Sequence, residues 1–359
     1  MEYFRFTGDR AFLAELWPAV RRAVDYLEAL RATRLGPEFE SAELRARRGL
    51  LPESASHECY LAHPVHSYWD DFWALQGYRD AAAMAAVLGD DEEARRIAAI
   101  GDVFRAALRA SVERTIADRR IAYVPGSVEW ADFDPTATAN AVALLGGVDD
   151  LPRAALERTF DEYLAGFGRR RRGEIDWNNY SAYEIRIVGA LVQLGRRDDA
   201  AELMEFLMGD RRPRAWNQWP EISWRDPRSP GHLGDVPHTW IVAEYILAFR
   251  SMLAYERAAD RSLVLAAGVP VAWLDAGAVG VTGLPTYYGT LDLRLHRDGA
   301  GTLIVEVGGD LGVPPGGILL RPPLARRLVS VEVNGRAVTT VDADGVTLGE
   351  CPARVVLRG

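Results

Sequence analysis

The chain has 359 residues, 48% hydrophobic and 26% charged, the balance of a globular protein with room for a large core and about two domains. Its net charge of −9 argues against nucleic acid or an anionic membrane as the main partner. Two cysteines, Cys59 and Cys351, give no metal-ligand spacing and no disulfide framework, and Cys59 is expected to be a buried, inert thiol. No stretch is of membrane-spanning length and the N-terminus lacks a signal peptide, so the expected compartment is the cytoplasm.

Thr7-Gly8-Asp9 opens the first expected helix, in which Leu13, Leu16, Trp17, Val20, Val24, Leu27 and Leu30 recur at three- and four-residue spacing to about Arg34. A loop rich in Gly, Pro, Ser and His runs from Gly36 to Ser67. A second helix is expected over Trp69–Leu88 and a third over Glu92–Ile116, joined at Gly89-Asp90-Asp91. The aromatic and acidic loop Tyr123–Pro135 leads to a fourth helix over Thr136–Leu145 and a fifth over Pro152–Phe167. Arg169 to Arg172, the one basic run, reads as a solvated helix C-terminus. The loop Gly173–Tyr180 leads to a sixth helix ending near Gly195, and a seventh runs from Arg197 to about Gly209. A long loop, Asp210–Asp235, precedes an eighth helix expected over Pro237–Ala259.

Long, chemically rich loops thus alternate with short connectors such as Leu88–Ala98 and Leu194–Met204. Paired helices whose long loops share one face describe an α-hairpin toroid. From about Leu263 the texture changes to short alternating runs such as Thr290–Leu295 and Thr302–Val307, and Val331–Val333 precedes an Asn334-Gly335 turn. The expected organisation is a helical domain over residues 1–260 and a small antiparallel β-sandwich over 261–359.

Of ten tryptophans, Trp69, Trp73, Trp130, Trp177, Trp216, Trp219, Trp224 and Trp240 fall in the long loops or the helix starts after them. The same loops carry Glu129, Asp132, Asp134, Glu174, Asp176, Asn178, Asn179, Glu221, Asp226 and Asp235. Aromatic faces suit the C–H surface of a sugar ring, and carboxylates accept from its hydroxyls. Without a Cys/His metal set or a Gly-rich phosphate loop, this combination points to an oligosaccharide, polysaccharide or glycoconjugate and to no cofactor or metal. The densest stretch is Ser67-Tyr68-Trp69-Asp70-Asp71-Phe72-Trp73, with two acids at a helix start where the dipole favours negative charge.

Three segments resemble the six-hairpin, (α/α)6-barrel glycoside hydrolases of the glucoamylase, trehalase and α-rhamnosidase type. Phe6–Leu30 resembles the helix before the general-acid loop, Ser67–Trp73 the segment carrying the general acid, and Trp216–Trp224 the segment carrying the general base. The resemblance spans Phe6 to Ala259. It implies six hairpins, of which the eight helices counted here supply four; the rest would come from a preceding region or a partner subunit. It also implies hydrolysis with inversion, in which one protonated carboxyl serves the leaving oxygen and a carboxylate about 6.5–9.5 Å away activates water.

On that reading Asp70 or Asp71 is the acid; they leave a helix start ~100° apart, so one of them faces the cleft. Glu221 is the base, with Asp226 and Asp235 as alternatives, Asp235 also fitting an N-cap, and Glu129 and Asp132 weaker. Trp69, Trp73, Trp130, Trp177, Trp219 and Trp224 are candidate sugar platforms, and Asp132, Asn178, Glu184 and His238 candidate polar contacts. Two other readings stay open. One is a glycoside phosphorylase, for which Arg225 and His232 would help hold phosphate. The other is a non-catalytic carbohydrate-binding fragment.

Overall fold

A computed structural model describes residues 1–57, 59–209, 211, 214–226, 228–229, 236–299, 301–324, 329–338 and 345–358. The chain divides into two compact units, Met1–Asp176 and Trp177–Gly359.

The first unit is helical: α1 (Glu2–Thr7), α2 (Arg10–Ala32), α3 (Tyr68–Leu88), α4 (Asp91–Arg119), α5 (Pro135–Ala143) and α6 (Arg153–Arg171). Asp9 caps α2 by accepting from the Phe12 N–H at 3.0 Å, and Asp90 caps α4 from Glu93. Gly89 closes α3 in the left-handed conformation that glycine adopts freely (φ 91°). α3 is an inner helix of the unit. It buries Tyr68, Trp69, Phe72, Leu75, Tyr78, Ala81, Met84 and Ala85, and packs against α2, α4 and α5. Its buried tyrosine hydroxyls are satisfied: Tyr68 bonds Ser111 at 2.8 Å and Thr115 at 2.9 Å, and Tyr78 donates to Glu28 at 2.8 Å. Of the expected apolar stripe of α2, Leu13 and Val24 are buried and Trp17, Val20, Leu27 and Leu30 partly buried, while Leu16 is exposed, as are Phe12 and Tyr26 outside the stripe.

Long loops follow α2 and α4, while a short turn joins α3 to α4. Isolated bridges Ser54↔Val65, Ser67↔Ser127 and Pro125↔Phe133 tie the two long loops into one wall at the start of α3.

The second unit opens with strand β1 (Asn179–Ser181), α7 (Ile185–Gln193), α8 (Arg197–Gly209), β2 (Ile222–Trp224) and α9 (Thr239–Leu253). α7 is buried along almost its whole length and packs on α8 and α9. α9 ends at Leu253, short of the expected Ala259. Ala254 turns extended (φ −157°, ψ 139°), and β3 (Ala254–Arg257) pairs with β4 (Ser262–Leu265). Backbone pairing with β4 outweighs the helical propensity of Ala-Tyr-Glu-Arg.

A short helix α10 (Val271–Ala276) precedes β5 (Val279–Thr286), β6 (Gly289–Arg297), β7 (Leu303–Gly308), β8 (Ile318–Leu320), β9 (Ser330–Val333), β10 (Arg336–Val338), β11 (Val346–Leu348) and β12 (Ala353–Arg358). Sheets of order β10-β9-β12-β7-β6-β5 and β11-β8-β4-β3 enclose one core. Alternate residues supply it: Leu291, Leu293 and Leu295 from one sheet, Leu263, Leu265, Ile318 and Leu320 from the other. The sheets are not wholly antiparallel, because β4 and β8 pair in parallel. The chain leaves the smaller sheet after β4, builds β5 to β7, and returns beside β4 in the same direction. The Asn-Gly turn stands as expected, with Asn334 at φ 50° and Gly335 at φ 77° between β9 and β10.

Candidate functional site

In the first unit, the start of α3 meets the bridged wall around Asp70. Its half-buried carboxylate accepts from the Ser54 hydroxyl and from Ser56 Oγ at 2.8 Å. Ser56, held at φ 51°, also meets Ser67 Oγ and His57 Nδ1, each at 3.0 Å. The His57 ring stacks on Trp69 with centroids 4.5 Å apart, and lies 3.8 Å from the Asp134 carboxylate. Tyr60 presents its ring edge to Trp130 at 5.2 Å and donates its hydroxyl to Asp132 at 2.8 Å; Ser127 donates to Asp132 at 2.6 Å. Burial and the Asp132 carboxylate together push the Tyr60 phenol far above its ordinary range, so it stays a donor. The structure therefore brings Trp69, Asp70, Trp130 and Asp132 into one connected group. Trp130 is half-exposed, and Trp73 is exposed with its ring 6.3 Å from Trp69.

Asp71 takes the opposite direction. It is 1% exposed and accepts from the Leu51 N–H at 3.0 Å. Burial, with Asp70 beside it, pushes its carboxyl well above the usual carboxylate range. It ties α3 to the loop beneath and does not face solvent.

Glu129, a weaker candidate base, is consumed by ion pairing. It accepts from Arg47 Nε at 2.8 Å, and from the His66 Nδ1 at 2.8 Å and backbone N–H at 2.9 Å. Arg34 Nε donates to His66 Nε2 at 3.1 Å, which leaves the imidazole proton on Nδ1, directed at Glu129. Although burial opposes ionisation, these donors hold Glu129 down at about 2. Arg34, Arg47, Ser54, Ser56, His57, Tyr60 and His66 did not stand out in the sequence. Their one signal is the polar run Ser54-Ala55-Ser56-His57 in the loop before an acidic helix start.

In the second unit, β1 and β2 join two of the expected aromatic–acid loops, pairing Asn179 with Trp224, Tyr180 with Ser223 and Ser181 with Ile222. Glu221 sits at the mouth of this ladder, its carbonyl accepting from the Ala182 N–H at 2.9 Å and its side chain half-buried. The Asn178 carbonyl accepts from Arg225 N–H at 2.7 Å, and Trp177 lies 5.5 Å from Tyr180. The Trp224 indole N–H is buried with no hydrogen-bond partner among the described residues, as is the Ser223 hydroxyl.

Other candidates have structural placements. Trp219 is buried, stacks on Tyr245 at 3.6 Å and donates its N–H to the Leu207 carbonyl at 3.1 Å, so no face is left for a sugar. Glu184 is buried at the start of α7. His238, the N-cap of α9, accepts from Ile241 N–H at 3.2 Å and meets Tyr183 edge-on. Asp226 closes a turn by accepting from Arg228 N–H at 2.9 Å, and Asp134 caps α5 by accepting from Thr136 and Ala137. Asp235 and His232 lie outside the described residues. Cys59 is exposed, contrary to the expected burial. Arg169 to Arg171 form the last turn of α6, as expected. Among the described residues no cluster of His, Cys, Asp and Glu could hold a metal ion, and no helix is long and apolar enough to cross a membrane.

No family model matches the chain, and no curated protein does. Among solved structures, an alpha-L-rhamnosidase from Dictyoglumus thermophilum matches with a TM-score of 0.53 at 10% sequence identity, over 99% of this chain and 38% of that one. A likeness at that identity is one of fold. The chain spans little more than a third of that structure's length.

Proposed function

We propose that this protein is a glycoside hydrolase on a six-hairpin scaffold, acting by inversion with Asp70 as general acid and Glu221 as general base. The observation that carries the reading is the Asp70 group: an accessible carboxylate among Trp69, Trp130, Tyr60 and His57, with Asp132 beside it as a hydroxyl acceptor. Rings supply faces for a sugar and fixed polar atoms supply its hydroxyl partners. The fold likeness to a glycosidase along nearly the whole chain is consistent with it.

In this mechanism a protonated Asp70 gives its proton to the glycosidic oxygen as the C–O bond breaks. Glu221 takes a proton from water as that water bonds to the anomeric carbon from the other face, so the product has inverted configuration. Inner helices contacting inner helices (α3 with α5, α7 with α9) and outer partners (α2, α4, α6, α8) support the toroid within each unit. The exposed Phe12, Leu16 and Tyr26 of α2, and Trp240, Ile246, Leu247 and Phe249 of α9, are the faces that further barrel helices would cover, from a preceding region or a partner subunit.

The test is release of reducing sugar from a panel of aryl glycosides and oligosaccharides, with the product anomer read by NMR. Asp70→Asn and Glu221→Gln each lower the rate by about 10²–10⁴-fold with unchanged thermal unfolding. Full activity in both variants overturns the assignment.

A further inference from the structure

The wall that carries the serines of Asp70 has a second side. In extended backbone, successive side chains point to opposite faces. Ser54 and Ser67 belong to the Asp70 group, whereas Glu53 and His66, each one residue earlier, line a cavity of about 430 Å³ with Arg34, Arg47 and Glu129. That volume lies in the range of small-molecule sites, roughly 300–1,000 Å³.

We propose that this cavity is a second carbohydrate site, taking one neutral, hydroxyl-rich ring and separate from the Asp70 cleft. The first argument is charge. Two arginines stand against two glutamates, and His66 bridges them, accepting from Arg34 at Nε2 and meeting Glu129 at Nδ1. An ion of either sign gains little from a compensated site, whereas a hydroxyl both donates and accepts and uses either partner. The second argument is the free valence. Arg47 is anchored through Nε on Glu129, and among the described residues its two terminal amino groups donate to nothing. Glu53, paired with Arg34, keeps half its side chain exposed and offers the opposing acceptor. Phe39, Leu44 and Pro64 complete the lining with apolar surface. The third argument is rigidity: Glu129 holds both the ring and the backbone of His66, so these groups are ordered before a ligand arrives. The proposal rests on the carbohydrate reading of the chain but uses none of the residues assigned to hydrolysis.

The experiment titrates the full chain with the methyl glycosides of glucose, galactose, mannose and rhamnose while following the His66 imidazole resonances by ¹H–¹⁵N NMR. The expected result is a saturable shift with at least one glycoside. Asp70→Asn retains it, while Leu44→Trp, which fills the cavity, abolishes it. Arg47→Met weakens it about tenfold, the loss of roughly 1.4 kcal/mol of hydrogen bonding. The proposal is overturned if no glycoside shifts His66 through the millimolar range, if the shift survives in both cavity variants, or if alanine or acetate produces it instead. Failure of the hydrolase reading would register separately, in the rates of the Asp70 and Glu221 variants.

Discussion

Glu129→Gln tests the physical account of the first unit most directly. The wild-type carboxylate sits at about 2 against an ordinary 4.5, in spite of burial, because Arg47 and two donors of His66 favour its charge. At about 1.4 kcal/mol per tenfold in proton affinity, that depression is worth about 3 kcal/mol. The sign follows from the direction. A carboxylate whose folded value is depressed stabilises the fold fully above its unfolded value and loses that stabilisation as pH falls. The contribution is therefore complete above about pH 5 and disappears between about 4.5 and 2. Glutamine keeps the shape and two polar atoms but cannot titrate. Urea unfolding of both proteins, run from neutral to acid pH, isolates the residue by difference, since Glu28 and Asp260, also depressed, titrate identically in each. The expected outcome is a variant about 3 kcal/mol weaker at neutral pH, with the gap closing as pH falls below 4.5. A gap that stays constant with pH, or no gap at all, refutes the electrostatic account.

Asp71→Asn retains the acceptor for Leu51 and removes a carboxyl whose ionisation burial opposes. A raised folded value costs the wild type stability as pH climbs above 3.8, so the variant should match or exceed it in denaturant midpoint at neutral pH. Trp219→Ala should destabilise by about 3–5 kcal/mol through loss of its stacking on Tyr245, with product release per folded molecule unchanged. Arg186→Met leaves the buried Glu244, bonded at 2.7 Å, without its cation and should cost about 3–5 kcal/mol by urea unfolding; adding Glu244→Leu should recover part of that loss.

Much of the helical architecture was legible because its signals are local. Asp9 and Asp90 cap helices at the positions their sequence suggests, and Gly89 ends one. Eight expected helices correspond to α2 through α9. The misread boundary at α9 shows the limit: Ala254–Arg257 carries no strand alternation strong enough to betray it, and only the partner β4 decides its state. The parallel β4–β8 pair was equally hidden, since strand direction depends on where the chain re-enters a sheet. For the proposed site, composition singled out loops but not side-chain direction. Trp130 and Trp219 read alike as loop tryptophans, yet one is half-exposed and the other stacks in the core. The Arg34–His66–Glu129–Arg47 network had no sequence signature, because its members are drawn from the end of one helix and three points of two loops.

The adjacent acids at the start of α3 show what backbone geometry adds to composition. Both sit in the first turn, where the helix dipole favours a negative charge, so sequence gives them equal standing. The ~100° between successive side chains sends one toward Ser54 and Ser56 and the other beneath the loop to Leu51. Water and two hydroxyls can solvate a charge on Asp70; nothing comparable reaches Asp71, whose one bond from Leu51 N–H falls short of offsetting its burial. Two ionised carboxylates side by side would repel, and the neighbouring Asp70 adds to burial in raising the Asp71 carboxyl. The difference between the two acids at this helix start therefore follows from solvent access: Asp70 is half-buried, and Asp71 is sealed beneath the loop.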